Sequence, residues 1–232
     1  NLNYPHIYKF LGKIMNDENN IKNKALKLLK GAYDLETPED NILYYKGFSK
    51  DYDRVFAAGL KYSYPKYVSE EFIKNYDNSG PICDIGCGTG LVANELKQID
   101  SSLIIDGFDI SKDMINMAKN KNIYRDLYEI DLTKPIKNVP KNYSGIISAG
   151  AFTHGHLGPE IINDLLSICE DGAILTIGIN ADHYKERGFE NFLHNLEMFK
   201  KIKINKMLSS AIYSNNKEKD MAVIGTFEKI KS

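Results

Sequence analysis

The sequence predicts an α/β fold with a mostly parallel sheet, and three observations lead to it. From residue 82 onward, short apolar runs alternate with helical patterns, as strand–helix–strand units require. The first run, Ile82-Cys83-Asp84-Ile85, passes directly into Gly86-Cys87-Gly88-Thr89-Gly90 and then a helix with Leu91, Val92 and Leu96 on one side. The first three strands also carry Asp84, Asp109 and Asp131 at or near their C-terminal ends, where open sheets of this kind hold ligands.

The elements follow in order. Ile7, Phe10, Leu11 and Ile14 sit at helical spacing, Asp17 to Asn20 interrupts, and Ile21 to Lys30 reads as a helix capped by Gly31. Thr37-Pro38-Glu39-Asp40 opens another helix, with Pro38 at its first position. A tyrosine-rich segment follows, with Tyr44, Tyr45, Phe48, Tyr52, Phe56, Tyr62, Tyr64 and Tyr67. These rings either pack helices onto the sheet or form a lid over a small-molecule pocket, where a phenol offers apolar contact and a hydrogen bond. Val68 to Tyr76 is a helix leading to the first strand. Residues 1–76 thus form a helical cap, and residues 77–232 the sheet unit.

Thr89 is placed to cap the helix after the glycine loop. The second strand, Leu103 to Asp109, precedes a helix capped by Ser111 and carrying Met114, Ile115, Met117 and Ala118. The third is Leu127 to Ile130, and the fourth is Tyr143 to Gly150. Pro159 opens a helix with Ile161, Ile162, Leu165, Leu166 and Cys169 inward, stopped by Asp171-Gly172. The fifth strand, Ala173 to Ile179, is apolar on both faces and therefore central. A helix from His183 to Lys200 and two strands, Met207 to Tyr213 and Met221 to Phe227, complete the chain as a terminal hairpin turning at Asn215-Asn216-Lys217.

Composition narrows the function. Charges nearly cancel, at a formal −1, so nothing electrostatic argues for a nucleic-acid track. No apolar run reaches the ~20 residues that span a bilayer. The N-terminus lacks a charged stretch followed by an apolar one, so it does not read as a secretory signal. Cys83, Cys87 and Cys169 form no C-x-x-C pair and suit reduced thiols. A cytoplasmic protein, monomeric or homodimeric, without membrane or nucleic-acid partners, is expected.

The loop spacing speaks to the cofactor. A dinucleotide loop wants G-x-G-x-x-G, but Leu91 stands where its third glycine would be, which disfavours an NAD-dependent oxidoreductase. An acid two residues before the first glycine suits a cationic ligand better than a diphosphate. Asp109, about 20 residues past the loop, lies where Rossmann-like folds bind ribose hydroxyls. The D-x-G-x-G-x-G form resembles the first motif of class I S-adenosylmethionine methyltransferases. Tyr45-Lys46-Gly47-Phe48-Ser49-Lys50-Asp51-Tyr52-Asp53 resembles the Y-D-x-W-A-x-x-Y-D element of small-molecule methyltransferases, and Tyr62-Ser63-Tyr64-Pro65 the Y-x-x-P after it. Gly150-Ala151-Phe152-Thr153-His154-Gly155-His156 is similar to the G-A-x-T-x-G-H stretch of the methyltransferase-like family of the Williams–Beuren region. Lys46 and Phe48 depart from that pattern, replacing Asp and Trp.

The resemblance implies a class I sheet under a helical lid, using S-adenosylmethionine and releasing S-adenosylhomocysteine. It implies that Gly86, Gly88 and Gly90, with Asp84 and Cys87 of the same motif, hold the amino-acid end of the cofactor. Asp109, with Ile110 and Met114 beyond it, would hold the ribose side, and Asp131 and Leu132 the adenine. Gly150 and Ala151 would border the cofactor, and Tyr45, Tyr52 and Tyr62 close over it. His154 and His156 lie at the fourth-strand exit, where an acceptor meets the methyl group. They are candidate general bases, or loop residues satisfying backbone groups. No spaced carboxylate or cysteine completes a metal site with them, so no metal is expected. The expected reaction is methyl transfer to oxygen or nitrogen of a small molecule. A non-catalytic S-adenosylmethionine-binding module is the alternative.

Overall fold

A computed structural model describes residues 17, 19–31, 35, 37–77, 80–214 and 220–231. The helix expected over Ile7–Ile14 and the turn at residues 215–217 lie outside them. Seven strands form one sheet in the order β3-β2-β1-β4-β5-β7-β6. These are β1 (Ile82–Ile85), β2 (Ile105–Asp109), β3 (Leu127–Glu129), β4 (Tyr143–Phe152), β5 (Cys169–Asn180), β6 (Ile202–Ala211) and β7 (Met221–Lys229). The first five pair in parallel, while β7 runs antiparallel to both β5 and β6. This is the Rossmann-like class I methyltransferase sheet with its terminal antiparallel hairpin.

The period-2 alternation of side chains divides the core. Cys83, Ile85 and Ile146 join one cluster, covered by α7 (Ile161–Ile168) and α9 (Phe189–Met198). Ile82, Ile105 and Ile147 join the other, covered by α4 (Tyr64–Ile73) and α5 (Leu91–Ile99). The helix α6 (Lys112–Lys119) runs between β2 and β3, with Ser111 Oγ accepting from the Met114 N–H at 3.3 Å.

The cap is assembled from short pieces. Residues 19–31 form α1, and α2 spans Pro38–Phe48 behind a capping box of Thr37 and Asp40. A 3₁₀ turn (Ser49–Asp51), a π-helical turn (Tyr52–Ala57) and the brief α3 (Ala58–Leu60) lead to α4. Tyr44 donates its hydroxyl to the Leu28 carbonyl, tying α2 to α1. Ala25 is fully buried beside Val55, Phe56 and Leu60.

Several expectations change. Asp17, Asn19 and Asn20 are helical, so they extend α1 rather than interrupt the chain. The expected helix at Val68 begins earlier, at Tyr64, because Pro65 suits a first turn. Asp171-Gly172 does not stop α7, which ends at Ile168, and β5 starts at once with Cys169 against Tyr143. The helix expected over His183–Lys200 is two, α8 (Ala181–Glu186) and α9, since Gly188 takes a left-handed φ of +68°. Thr89 does not cap α5. Gly90 occupies that position, and Thr89 donates instead to Asp53.

Candidate active site

A cavity of about 180 Å³ opens over the C-terminal ends of the central strands, beneath the cap. Gly86 and Gly88 of the loop line it, as do Asp109, Ile110, Ser111 and Met114 after β2. Asp131 and Leu132 line it after β3, and Gly150, Ala151 and His156 after β4. The cap contributes Tyr45, Tyr52 and Tyr62. Thirteen of the seventeen residues expected at the site therefore meet at one space.

Two glycines make the cradle. A Cβ on Gly86, whose φ is +64°, would stand 2.5 Å from the Ala151 Cβ. A Cβ on Gly150, at φ +102°, would stand 2.9 Å from the Tyr62 hydroxyl. A side chain at either position would collide with a neighbour already in place, so both glycines let the strand ends and the cap pack closely.

Asp109 binds the loop to the sheet. Its Oδ2 accepts from the Gly88 N–H and its Oδ1 from the Ser111 N–H, both at 2.8 Å. Burial pushes its carboxyl upward, and these backbone donors pull against that. Each carboxylate oxygen retains accepting capacity toward the cavity. Asp131 is committed to its own turn, accepting from the Thr133 N–H at 3.0 Å and the Lys134 ammonium at 2.7 Å. Asp131 thus closes its own turn and also lines the cavity.

Four expected residues lie outside the lining: Asp84, Cys87, Gly90 and His154. Asp84 is fully buried behind the glycine loop and accepts the Tyr124 hydroxyl at 2.7 Å. Burial pushes its carboxyl up to about 7, with the Tyr124 hydroxyl opposing. The Ala93 N–H also eases the charge, though no donor reaches Oδ1 within hydrogen-bond distance. Cys87 is buried with its sulfur toward Gly107, and Gly90 starts α5.

The two candidate bases separate. His156 lines the cavity, with its ring 6.4 Å from that of Tyr45. Burial, then the nearby His183, pushes its imidazole down to about 4, so it is neutral at physiological pH. His154 turns away, with Nδ1 3.5 Å from Glu186 and its ring 5.3 Å from His183. His183, which no motif marked, sits buried with Nε2 2.9 Å from the Leu157 carbonyl and so holds the loop carrying His156.

The sequence reading also missed Asn180, Ile212 and Tyr213 as lining residues. Tyr213 pairs with Tyr62 as an isolated antiparallel bridge, which brings the end of the terminal hairpin to the cap. Their common signal is position: each stands just beyond, or at the end of, a strand on the ligand-bearing edge.

A family model described as a methyltransferase domain matches residues 56–211. The chain belongs to that methyltransferase family. It is 27% identical to Methyltransferase-like protein 27 of Homo sapiens over 176 residues, covering 73% of this chain and 71% of that protein. A S-adenosylmethionine-dependent methyltransferase structure from Clostridium acetobutylicum superposes with a TM-score of 0.57 at 14% identity, covering 81% of this chain and 99% of that one. The plantazolicin methyltransferase BpumL, in a structure with S-adenosylhomocysteine, superposes with a TM-score of 0.54 at 14% identity, covering 94% of this chain and 100% of that one. At these identities the two structures establish the methyltransferase fold. Among the described residues of this methyltransferase, no helix is long and apolar enough to cross a membrane. Nor do they include a group of three or more His, Cys, Asp or Glu that could hold a metal ion.

Proposed function

We propose that the chain transfers a methyl group from S-adenosylmethionine to oxygen or nitrogen of a small molecule, beneath a cap formed by the residues up to Tyr76. The observation that carries this reading is the continuity of one cavity, from the glycine loop through the aromatic cap to His156. Gly88 suits the donor, because at a φ of +53° it faces open space at the cavity, where its backbone can approach a ligand.

S-adenosylmethionine supplies a methyl carbon activated by a sulfonium, so the protein's work is alignment and proton handling. Gly86 and Gly88 offer backbone to the amino-acid end. Asp109 accepts from ribose hydroxyls while its other contacts keep the loop in register. Leu132 flanks the adenine, with Asp131 at its rim. Tyr45, Tyr52 and Tyr62 cover the donor and exclude water. Burial keeps the Tyr52 phenol protonated, so that ring covers the donor without adding charge. His156, uncharged, accepts a proton from a hydroxyl acceptor as its oxygen attacks. His154 faces Glu186, which leaves His156 as the base this geometry favours.

Calorimetric titration with S-adenosylmethionine, S-adenosylhomocysteine and NADH tests the donor. The first two should bind in the micromolar range, about −8 kcal/mol, and NADH should give no heat. Asp109→Ala and Gly86→Val should each weaken donor binding by about a hundredfold, or ~2.7 kcal/mol. NADH heat without S-adenosylmethionine heat would overturn the reading. A labelled methyl group transferred into a small-molecule extract separates an enzyme from a module that only binds the donor.

A further inference from the structure

We propose that the methyl acceptor is an apolar amine, received against an aromatic wall that turns acidic molecules away. This rests on the methyl-transfer reading above and concerns the part of the cavity lined by the aromatic rings.

Beyond the three tyrosines placed over the donor, Phe56, Tyr64 and Tyr213 line the same space. The rings meet one another across three separate segments of chain. Tyr52 and Phe56 stack at 5.0 Å between centroids, Phe56 meets Tyr62 at 6.1 Å, and Tyr62 meets Tyr213 at 5.6 Å. Tyr64 stands 6.3 Å from Tyr62. The π-helical turn brings Tyr52 and Phe56, the start of α4 brings Tyr64, and the hairpin end brings Tyr213. A wall recruited from three places, facing a cavity, is a surface for a ligand as well as a packing arrangement.

The charges around it have one sign. No lysine or arginine lines the cavity among the described residues, and Asp109 and Asp131 are its only carboxylates. Lys134 and Arg187 lie in an adjoining groove and are paired there, with Asp131 and Glu160. A buried carboxylate or phosphate on the acceptor would find no cation to offset its lost hydration. An ammonium would find ring faces, which attract cations most strongly when water is excluded. The bound ammonium releases one proton to water, which frees the lone pair that attacks. In the transfer, the nitrogen lone pair forms the new N–C bond as the C–S bond breaks. Its electrons return to sulfur, and the proton left on nitrogen passes to water.

The test is calorimetry on protein saturated with S-adenosylhomocysteine, using pairs matched in shape and opposite in charge. Tryptamine is set against indole-3-propionate, and phenethylamine against 3-phenylpropionate. Each amine should bind roughly tenfold more tightly than its acid. Phe56→Leu and Tyr213→Leu should weaken the amines roughly fivefold, and Tyr213→Phe should not. Ile212→Lys, which adds a cation at the wall without removing a ring, should reverse the preference. Acids binding as well as amines, or neither class binding, would overturn the proposal. Failure of S-adenosylhomocysteine itself to bind would remove the donor reading instead, and the same pairs titrated on the free protein would then decide the amine reading.

Discussion

Two carboxylates, one inside the sheet and one in the cap, each tie distant parts of the chain together and serve different ends. Asp106 on β2 is fully buried. Its Oδ1 accepts from Arg125 Nε at 2.9 Å, and its Oδ2 accepts from Arg125 Nη2 at 2.6 Å and from the Tyr143 hydroxyl at 2.7 Å. Asp53 in the cap accepts from the Thr89 hydroxyl at 2.5 Å and the Lys121 ammonium at 2.6 Å, with 42% of its side chain exposed. The first knits β2, β4 and the approach to β3, where water cannot replace a lost partner. The second ties the π-helical turn to the glycine loop and to the chain just past α6, where water can. Solvent access, more than partner count, separates a permanent joint from a releasable one.

Removing the sheet joint should have the largest effect. Asp106→Ala leaves a guanidinium and a phenol without their acceptor and should cost about 3 kcal/mol, because half-exposed Arg125 can rehydrate. Urea unfolding measures this, and a loss below about 1 kcal/mol would erase the contrast.

His156 sharpens the comparison, since it is enclosed but has no ionic partner among the described residues. Its pKa falls from 6.5 to about 4 on folding, so above pH 6.5 it contributes nothing. As pH drops from 6.5 toward 4, the unfolded chain takes up a proton that the folded chain refuses, and stability is lost. His156→Gln should recover about 1 kcal/mol at pH 4 and nothing at pH 8, the ring's partial exposure limiting the gain. Thermal melts across that range would show it, and parallel melting curves for both proteins would sink it.

The cap joint should move stability least. Asp53→Ala should change unfolding by less than about 1 kcal/mol, yet speed donor release roughly threefold. Stopped-flow dissociation reads this directly. A large drop in stability without faster release would make Asp53 a structural residue like Asp106.

The sheet was the more legible half. Its strands and the terminal hairpin follow from the alternation of the sequence, and spacing marked Asp109, Gly86 and Gly88, while the order of the strands emerged only from the structure. What the sequence hid was set by contacts distant in the chain. Thr89 looks like a helix cap until Asp53 takes its hydroxyl. Asp84 looks aimed at a ligand until Tyr124 claims it. His154 and His156 are two residues apart and face different surroundings, which no spacing rule separates. The break at Gly188 was hidden because helical spacing continues on both sides of it.

The bridge between Tyr62 and Tyr213, flanked by the Ser63 N–H to Ile212 carbonyl and Ser214 N–H to Lys61 carbonyl bonds, carries a consequence for synthesis. The cap and the five parallel strands leave the ribosome well before the hairpin that completes the wall beside them. A nascent chain can therefore build most of its sheet while its pocket stays open on one side. Closing that contact across so long a loop comes late, because its entropy is recovered only once the intervening structure has formed. The cavity wall is complete only once Ile212 and Tyr213 have emerged and docked beside Tyr62.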